Sequence, residues 1–266
     1  MNISRVVPVA NWREGDQSGR EDQVAAEVPV ALTYNRLSHV VMMATPADLE
    51  DFGLGFSLTE GIIDSVEDLI STKILPREQG IEVAMTVSEN CYDRLSTQRR
   101  NLTGRTGCGL CGAESLEQAM RYPEPVGQGL KIAPEILQAA LQAMPDRQPL
   151  ASVTGATHCA AWCGMEGEII ALREDVGRHN ALDKLIGHLK RNEFRPHKGF
   201  LVVSSRASYE MVFKAAAVGI QLLAAVSAPT TLAVDFAMHC GITLAGFARP
   251  GRHNIYTAPE RFKPRS

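Results

Sequence analysis

The run from residue 200 to residue 248 constrains the fold more than any other part of the chain. An apolar segment at 200–204 is followed by a helical pattern over 208–218 that stops at Gly219. A second apolar segment, 222–226, precedes Pro229-Thr230, which opens a helix stopping at Cys240-Gly241, and a third segment fills 242–248. Parallel strands need long crossovers, so strands and helices alternating at this short spacing predict a parallel sheet with right-handed connections. Residues 153–155 and 168–173 read as further strands. Residues 180–191 read as a helix with Leu182, Leu185, Ile186 and Leu189 on one face.

The first half is patterned differently. Two β-rich runs, 28–33 and 38–44, flank a turn at 34–37. Thr45-Pro46-Ala47-Asp48 then combines an N-cap threonine, a proline at the first helical position and an acid at the third. Leu49, Phe52, Gly53 and Phe56 follow at helical spacing up to Gly61. Gly53, Gly55 and Phe56 predict close helix packing, and Glu60 a solvated carboxylate. A short helix starts at Ser65, and 81–87 alternates like a strand. Residues 94–112 read as a loop, Gly127-Gln128-Gly129 as a linker, and 133–144 as an amphipathic helix. The expected organisation is a disordered tail at 1–26, a small α+β lobe at 27–125 and an α/β domain with a largely parallel sheet at 126–266.

Two thiols, Cys108 and Cys111, stand in Gly107-Cys108-Gly109-Leu110-Cys111-Gly112. Glycines around and between them give a mobile sulfur site, and Arg94, Arg99, Arg100 and Arg105 upstream would favour the reactive thiolate. A zinc half-site, a redox pair and a persulfide carrier compete for the local string. Structural cysteines do not need such backbone freedom, and no apolar strand over 99–108 supports a thioredoxin-like redox context. Zinc needs about four ligands. The other available group, His158, Cys159 and Cys163, reads as small packing residues in an apolar run, and Cys91 and Cys240 are isolated. No metal site is expected.

With 266 residues and 45% hydrophobic content, the chain can bury a large core or two smaller ones. A formal charge of −3 argues against nucleic-acid or membrane-surface binding. No apolar run approaches roughly 18 residues. The polar N-terminus shows no secretory pattern, which predicts a cytoplasmic protein with reduced cysteines.

In open parallel sheets, ligands bind beyond the carboxyl ends of the strands. The loops placed there are 173–180, 204–206, 227–230 and 247–254. They carry Arg178, His179, Arg206, Arg249, Arg252 and His253, a cationic set in a weakly acidic chain. With helices opening after Arg206 and Ala228, this predicts an anion site for the phosphates of a nucleotide. Asp175 and Asp183 are expected to pair with neighbouring arginines. His158 fits a ligand contact and a core role equally. The chain lacks both a GxGxxG after its first strand and a P-loop lysine.

Several motifs occur together and in order: GLGFSLTEGII at 53–63, CGLCG at 108–112, TGATH at 154–158 and REDVGRHNALDKLIG at 173–187. SSRASYEMVFKAA at 204–216, VSAPTTLAVDFA at 226–237 and GFARPGRHNIY at 246–256 complete them. The chain resembles the formate dehydrogenase accessory sulfurtransferase family (FdhD/NarQ), from residue 27 to residue 256.

The resemblance implies a three-layer, cytidine-deaminase-like second domain without deaminase zinc chemistry. It implies a carrier that takes sulfur from a cysteine desulfurase as a persulfide on Cys108, with Cys111 assisting. The sulfur would pass to the molybdenum cofactor, bis-molybdopterin guanine dinucleotide, of a formate dehydrogenase catalytic subunit. Phe247, Ala248, Arg249, Pro250, Gly251 and Arg252 match the family's cofactor-binding segment, GDP would serve as a surrogate ligand, and a homodimer is implied. The rival reading is a non-catalytic chaperone that only binds the cofactor or the apo-enzyme. Cys159 and Cys163, beside TGATH, depart from the family pattern.

Overall fold

The structure is a computed structural model that describes residues 2–101, 123–192 and 194–263, with 98–101 given by their backbone only. Its first element is not a tail. Ser4–Arg13 (β1) and Asp16–Ala25 (β2) pair antiparallel over ten residues each, closed by Glu14 and Gly15, both at positive φ. Such a two-residue turn matches the twist of the flanking strands. Both faces of the ribbon are largely exposed, so the ladder and the turn hold it together and there is no burial periodicity to read.

The first lobe is a four-stranded sheet ordered β4-β3-β6-β5, built from Val28–Tyr34 (β3), Leu37–Ala44 (β4), Leu69–Arg77 (β5) and Gly80–Val87 (β6). The β3–β4 turn is Asn35-Arg36, again with two positive φ values. One face packs Val30, Leu32, Tyr34, Val83 and Met85 against Phe52 and Phe56 of the helix Leu49–Thr59 (α1) and Leu95 of Glu89–Asn101 (α2). The predicted loop therefore begins as helix, up to Asn101.

The start of α1 also differs from the sequence reading. Its cap is Asp48, in a left-handed conformation. Thr45 is fully buried, and its backbone N–H donates to the Asp175 carboxylate at 3.0 Å, so tertiary structure has claimed the residue that local pattern assigned to capping.

The second sheet has six strands in the order β12-β11-β10-β9-β7-β8. Gly199–Val203 (β9), Leu222–Ala225 (β10) and Thr243–Arg249 (β11) run parallel, as their helical crossovers dictate. His158–Gly164 (β7) pairs antiparallel with both Ile169–Asp175 (β8) and β9, and Arg252–Ile255 (β12) pairs antiparallel with β11. Successive residues of each central strand face opposite cores. Leu201, Val203 and Leu223 meet the helices Arg178–Arg191 (α5), Tyr209–Ala217 (α6) and Thr231–His239 (α7). Phe200, Val202 and Leu222 meet Leu137 and Leu141 of Pro134–Ala143 (α3) on the other side. Residues 153–154 end a helix, Pro149–Thr154 (α4), rather than forming a strand, and Gly155 at φ 63 terminates it. The expected linker is pinned to this lobe, with Val126 N–H donating to Cys240 O at 2.9 Å and Leu130 N–H to the Gln221 side chain at 3.0 Å.

The lobes meet where α1 crosses α5, backbone against backbone. A Cβ on Gly55 would overlap the Asp183 carbonyl oxygen, and one on Gly187 would overlap that of Asp51. Of the glycines read as close-packing residues, Gly55 serves this crossing and Gly53 lets α1 approach Met85 and Val83 of the first sheet; the sequence pattern does not single out Gly187. Two buried lysines flank the crossing. Lys214 Nζ lies 3.0 Å from Asp183 Oδ2 and donates at 2.9 Å to both Glu60 and Thr59. Lys184 Nζ lies 2.6 Å from Asp175 Oδ2 and donates to the Thr45 carbonyl at 2.9 Å.

Asp175 and Asp183 thus pair with lysines instead of arginines, and Glu60 is bonded rather than merely solvated. Burial alone would lower the Lys214 ammonium, but the Asp183 and Glu60 carboxylates outweigh it and hold it above its usual value. Removing one member of such a pair strands a buried charge, at a cost of about 3–5 kcal/mol. Gly187→Ala should lower the free energy of unfolding by about 2–3 kcal/mol in urea titration, because the clashing Asp51 backbone cannot yield. Gly19→Ala, which meets open space in the ribbon, should leave it unchanged.

Candidate functional site at the carboxyl edge

Because β8, β9, β10 and β11 all run in one direction, their carboxyl ends form one edge. Asp175, the last residue of β8, builds the first corner. Its carboxylate accepts from the backbone N–H of Gly177 at 2.7 Å and from the Asn180 amide at 2.9 Å, besides Thr45 and Lys184. This fixes the turn that presents Arg178 and His179 at the start of α5. His179 Nε2 lies 2.7 Å from Glu210 Oε2 at the start of α6, and this close contact holds the Glu210 carboxyl below its usual range against the effect of burial.

Beside them, β9 runs out into Ser204, Ser205 and the exposed Arg206, with Ser204 Oγ accepting from Cys159 N–H at 2.9 Å. His158, half-buried at the start of β7, has its imidazolium disfavoured first by burial and then by Arg178, His179 and Arg206. The lowered pKa makes it neutral near pH 7. Glu210 went unnoticed in the sequence because an acid in the first turn of a helix is ordinary there.

The far end of the edge holds the segment 247–252. The β11–β12 register shifts between Gly246 and Arg249, and Phe247 occupies the irregularity at φ 50, with its side chain exposed and its N–H donating to Ser227 O at 3.1 Å. Ala248 is buried in the core beneath the edge, so its side chain faces away from any ligand. Arg249 and Arg252 are exposed and directly opposite one another. Gly251, between them at φ 84, donates its N–H to Gln138 Oε1 at 2.6 Å. His253 bonds the same Gln138 at 3.0 Å. The six predicted cations therefore separate into two groups, Arg178, His179 and Arg206 at one corner and Arg249 and Arg252 at the other, with His253 engaged by α3.

Comparison with known proteins gives this architecture its relatives. The model of the family described as FdhD/NarQ matches residues 25–263. The chain belongs to the FdhD/NarQ family. It is 53% identical over 255 residues to a sulfur carrier protein FdhD of Cupriavidus necator, covering 96% of this chain and 88% of that protein. It is 50% identical over 246 residues to a sulfur carrier protein FdhD of Bordetella petrii, covering 92% and 88% respectively. The fold superposes with a TM-score of 0.79 on a crystal structure of a candidate formate dehydrogenase accessory protein from Desulfotalea psychrophila. That structure is 24% identical, with 98% of this chain and 100% of the other covered.

The FdhD/NarQ match spans Cys108 and Cys111, which lie outside the described residues. The first of the upstream arginines is engaged elsewhere. Arg94 donates to Asp64 at 2.9 Å and to Ile62 O at 3.2 Å, and it lies 3.6 Å from the Cys91 sulfur. Donor atoms of Asp64, Asp68 and Cys91 lie within 4.8 Å of one another, but the Arg94 guanidinium already supplies their positive partner.

Cys91, Cys159, Cys163 and Cys240 are buried. Burial pushes the Cys159 and Cys163 thiols up to about 12, which leaves almost no thiolate. Both face the α3 core, whereas His158 lies one residue out of step on the strand, as packing residues would and a zinc set would not. Among the described residues no helix is long and apolar enough to cross a membrane. Brief alkylation of the native protein should leave Cys91, Cys159, Cys163 and Cys240 unlabelled in peptide mass spectra. Rapid labelling of Cys159 or Cys163 would contradict their burial.

Proposed function

We propose that this chain carries sulfur to the molybdenum cofactor of a formate dehydrogenase. The Cys108 thiolate attacks the outer sulfur of a persulfide on a cysteine desulfurase. One S–S bond breaks and one forms, the desulfurase leaves as thiolate, and no net redox change occurs. The Cys111 thiolate then attacks the inner sulfur, forming a Cys108–Cys111 disulfide and releasing hydrosulfide to the cofactor. A cellular dithiol reductant reopens the disulfide. The cofactor, bis-molybdopterin guanine dinucleotide, is the substrate of this step and binds at the carboxyl edge through 247–252. The reaction takes place in the cytoplasm, and the working unit is a homodimer.

The observation that carries the binding half of this reading is the Arg249–Arg252 pair. Like charges facing one another across a strand pair repel, and Gly251 between them brings backbone within reach of a ligand. A phosphate set there replaces repulsion with two charge-assisted hydrogen bonds. Phe247, forced outward by the bulge, offers a flat apolar surface beside it for a base. The sulfur half is supported by two relatives, half identical in sequence, that are named sulfur carrier proteins, together with the glycine-flanked thiols.

Incubation with a cysteine desulfurase and cysteine, followed by non-reducing peptide mass spectrometry, tests the first step. A one-sulfur increment on the Cys108 peptide, removed by reductant and absent in Cys108→Ala, is the expected result. An unmodified peptide beside an active desulfurase would refute the carrier and favour a chaperone that only binds the cofactor.

A further inference from the structure

The corner built by Asp175 lies apart from the segment 247–252. β9, which leads to Arg206, and β11, which ends at Arg249, are separated by β10, which at about 4.8 Å per strand places their ends roughly 10 Å apart, and β8, which leads to Arg178, lies two strands farther out. At this corner Arg178, Arg206 and His158 come together from three different elements, and the carboxylates close by are committed. Asp175 is bound by Lys184, Thr45, Gly177 and Asn180, and Glu210 faces His179 at 2.7 Å while also attracting Arg178.

Three buried side-chain atoms have no hydrogen-bond partner among the described residues: Arg178 Nε, Ser208 Oγ and His179 Nε2, the last of which faces Glu210 Oε2 at 2.7 Å outside hydrogen-bond geometry. Ser208 stands at the N-cap position of α6, yet its hydroxyl makes no cap bond. These are the features of a site shaped for something negatively charged: donors already desolvated, positive groups already crowded, and backbone held by a buried carboxylate. The same crowding shows in the Arg178 guanidinium, which burial first and Arg206 second push below its usual value.

We propose that Arg178, Arg206, His158 and Ser208 form an anion subsite of their own, for a phosphoryl or diphosphoryl group. It deepens the function proposed above, on which it rests only for the ligand's identity: a nucleotide-bearing cofactor is gripped at two anionic points along one sheet edge. The Arg178 and Arg206 guanidinium groups supply the charge, Ser208 Oγ and neutral His158 supply neutral hydrogen bonds, and Asp175 is the positioning residue that holds the Arg178 turn.

Inorganic pyrophosphate, titrated calorimetrically into the full chain, isolates this subsite from any contribution of a base. The double variant Arg178→Gln/Arg206→Gln is expected to lose about tenfold or more in pyrophosphate affinity, the scale of hydrogen bonds between charged partners. Arg206→Gln alone, an exposed change that cannot disturb the core, should show part of that loss. A control removing the same charge elsewhere, Arg36→Gln/Lys73→Gln on the first lobe, should bind as wild type. The proposal is overturned if wild-type protein does not bind pyrophosphate, if the double variant binds it equally well, or if the control loses as much. Pyrophosphate binding with this dependence, beside no binding of GDP, would keep the subsite and remove the guanine-nucleotide reading instead.

Discussion

The crossing of α1 and α5 holds this molecule in register. Two glycines let the helices touch backbone to backbone, and that closeness brings Asp183 of one lobe to Thr59 of the other at 2.8 Å, with Lys214 bridging both to Glu60. The same contact seats Thr45 on Asp175. Helix packing by side chains alone would keep the axes farther apart, and the buried lysines would lose their carboxylates. A buried ion pair adds little net stability against an apolar replacement, but it penalises every misaligned arrangement, because each would leave a charge unpaired. The lobes can dock in one way.

That docking reaches the chemistry through Asp175. One carboxylate terminates β8, accepts from the other lobe, neutralises Lys184 and shapes the turn carrying Arg178 and His179. The backbone turn that carries Arg178 and His179 is therefore held in place before any ligand arrives. The lobe that contributes Thr45 also contains α2, the helix leading toward the thiols. The proposed sulfur chemistry and the proposed anion recognition thus fall to two lobes joined through one shared contact.

Much of the second lobe was legible because its strands are fully buried and its helices amphipathic, so composition and period agree. The carboxyl-edge loops followed from parallel topology. What escaped the sequence escaped for identifiable reasons. The β1–β2 ribbon buries almost nothing, and its signal lay in the Glu14-Gly15 turn alone. Thr45 carried a convincing cap pattern, but Asp175, distant in sequence, claimed it. Lys184 and Lys214 sit at helical positions where a lysine normally faces water; only the partners brought by the glycine crossing make their burial tolerable. Residues 153–154 were read as strand because they are β-branched, and a proline start at Pro149 decided for helix. The division of the arginines into two groups needed the strand order, which local pattern does not contain.

The central claim is that sulfur moves through this chain to the cofactor. The most direct test loads the protein with radiolabelled sulfur from a cysteine desulfurase, removes the desulfurase, and adds cofactor and apo-formate dehydrogenase. Label recovered with the cofactor in the activated enzyme, and lost with Cys108→Ala, is the predicted result. Label retained on the protein while Cys108→Ala activates the enzyme equally well would contradict it.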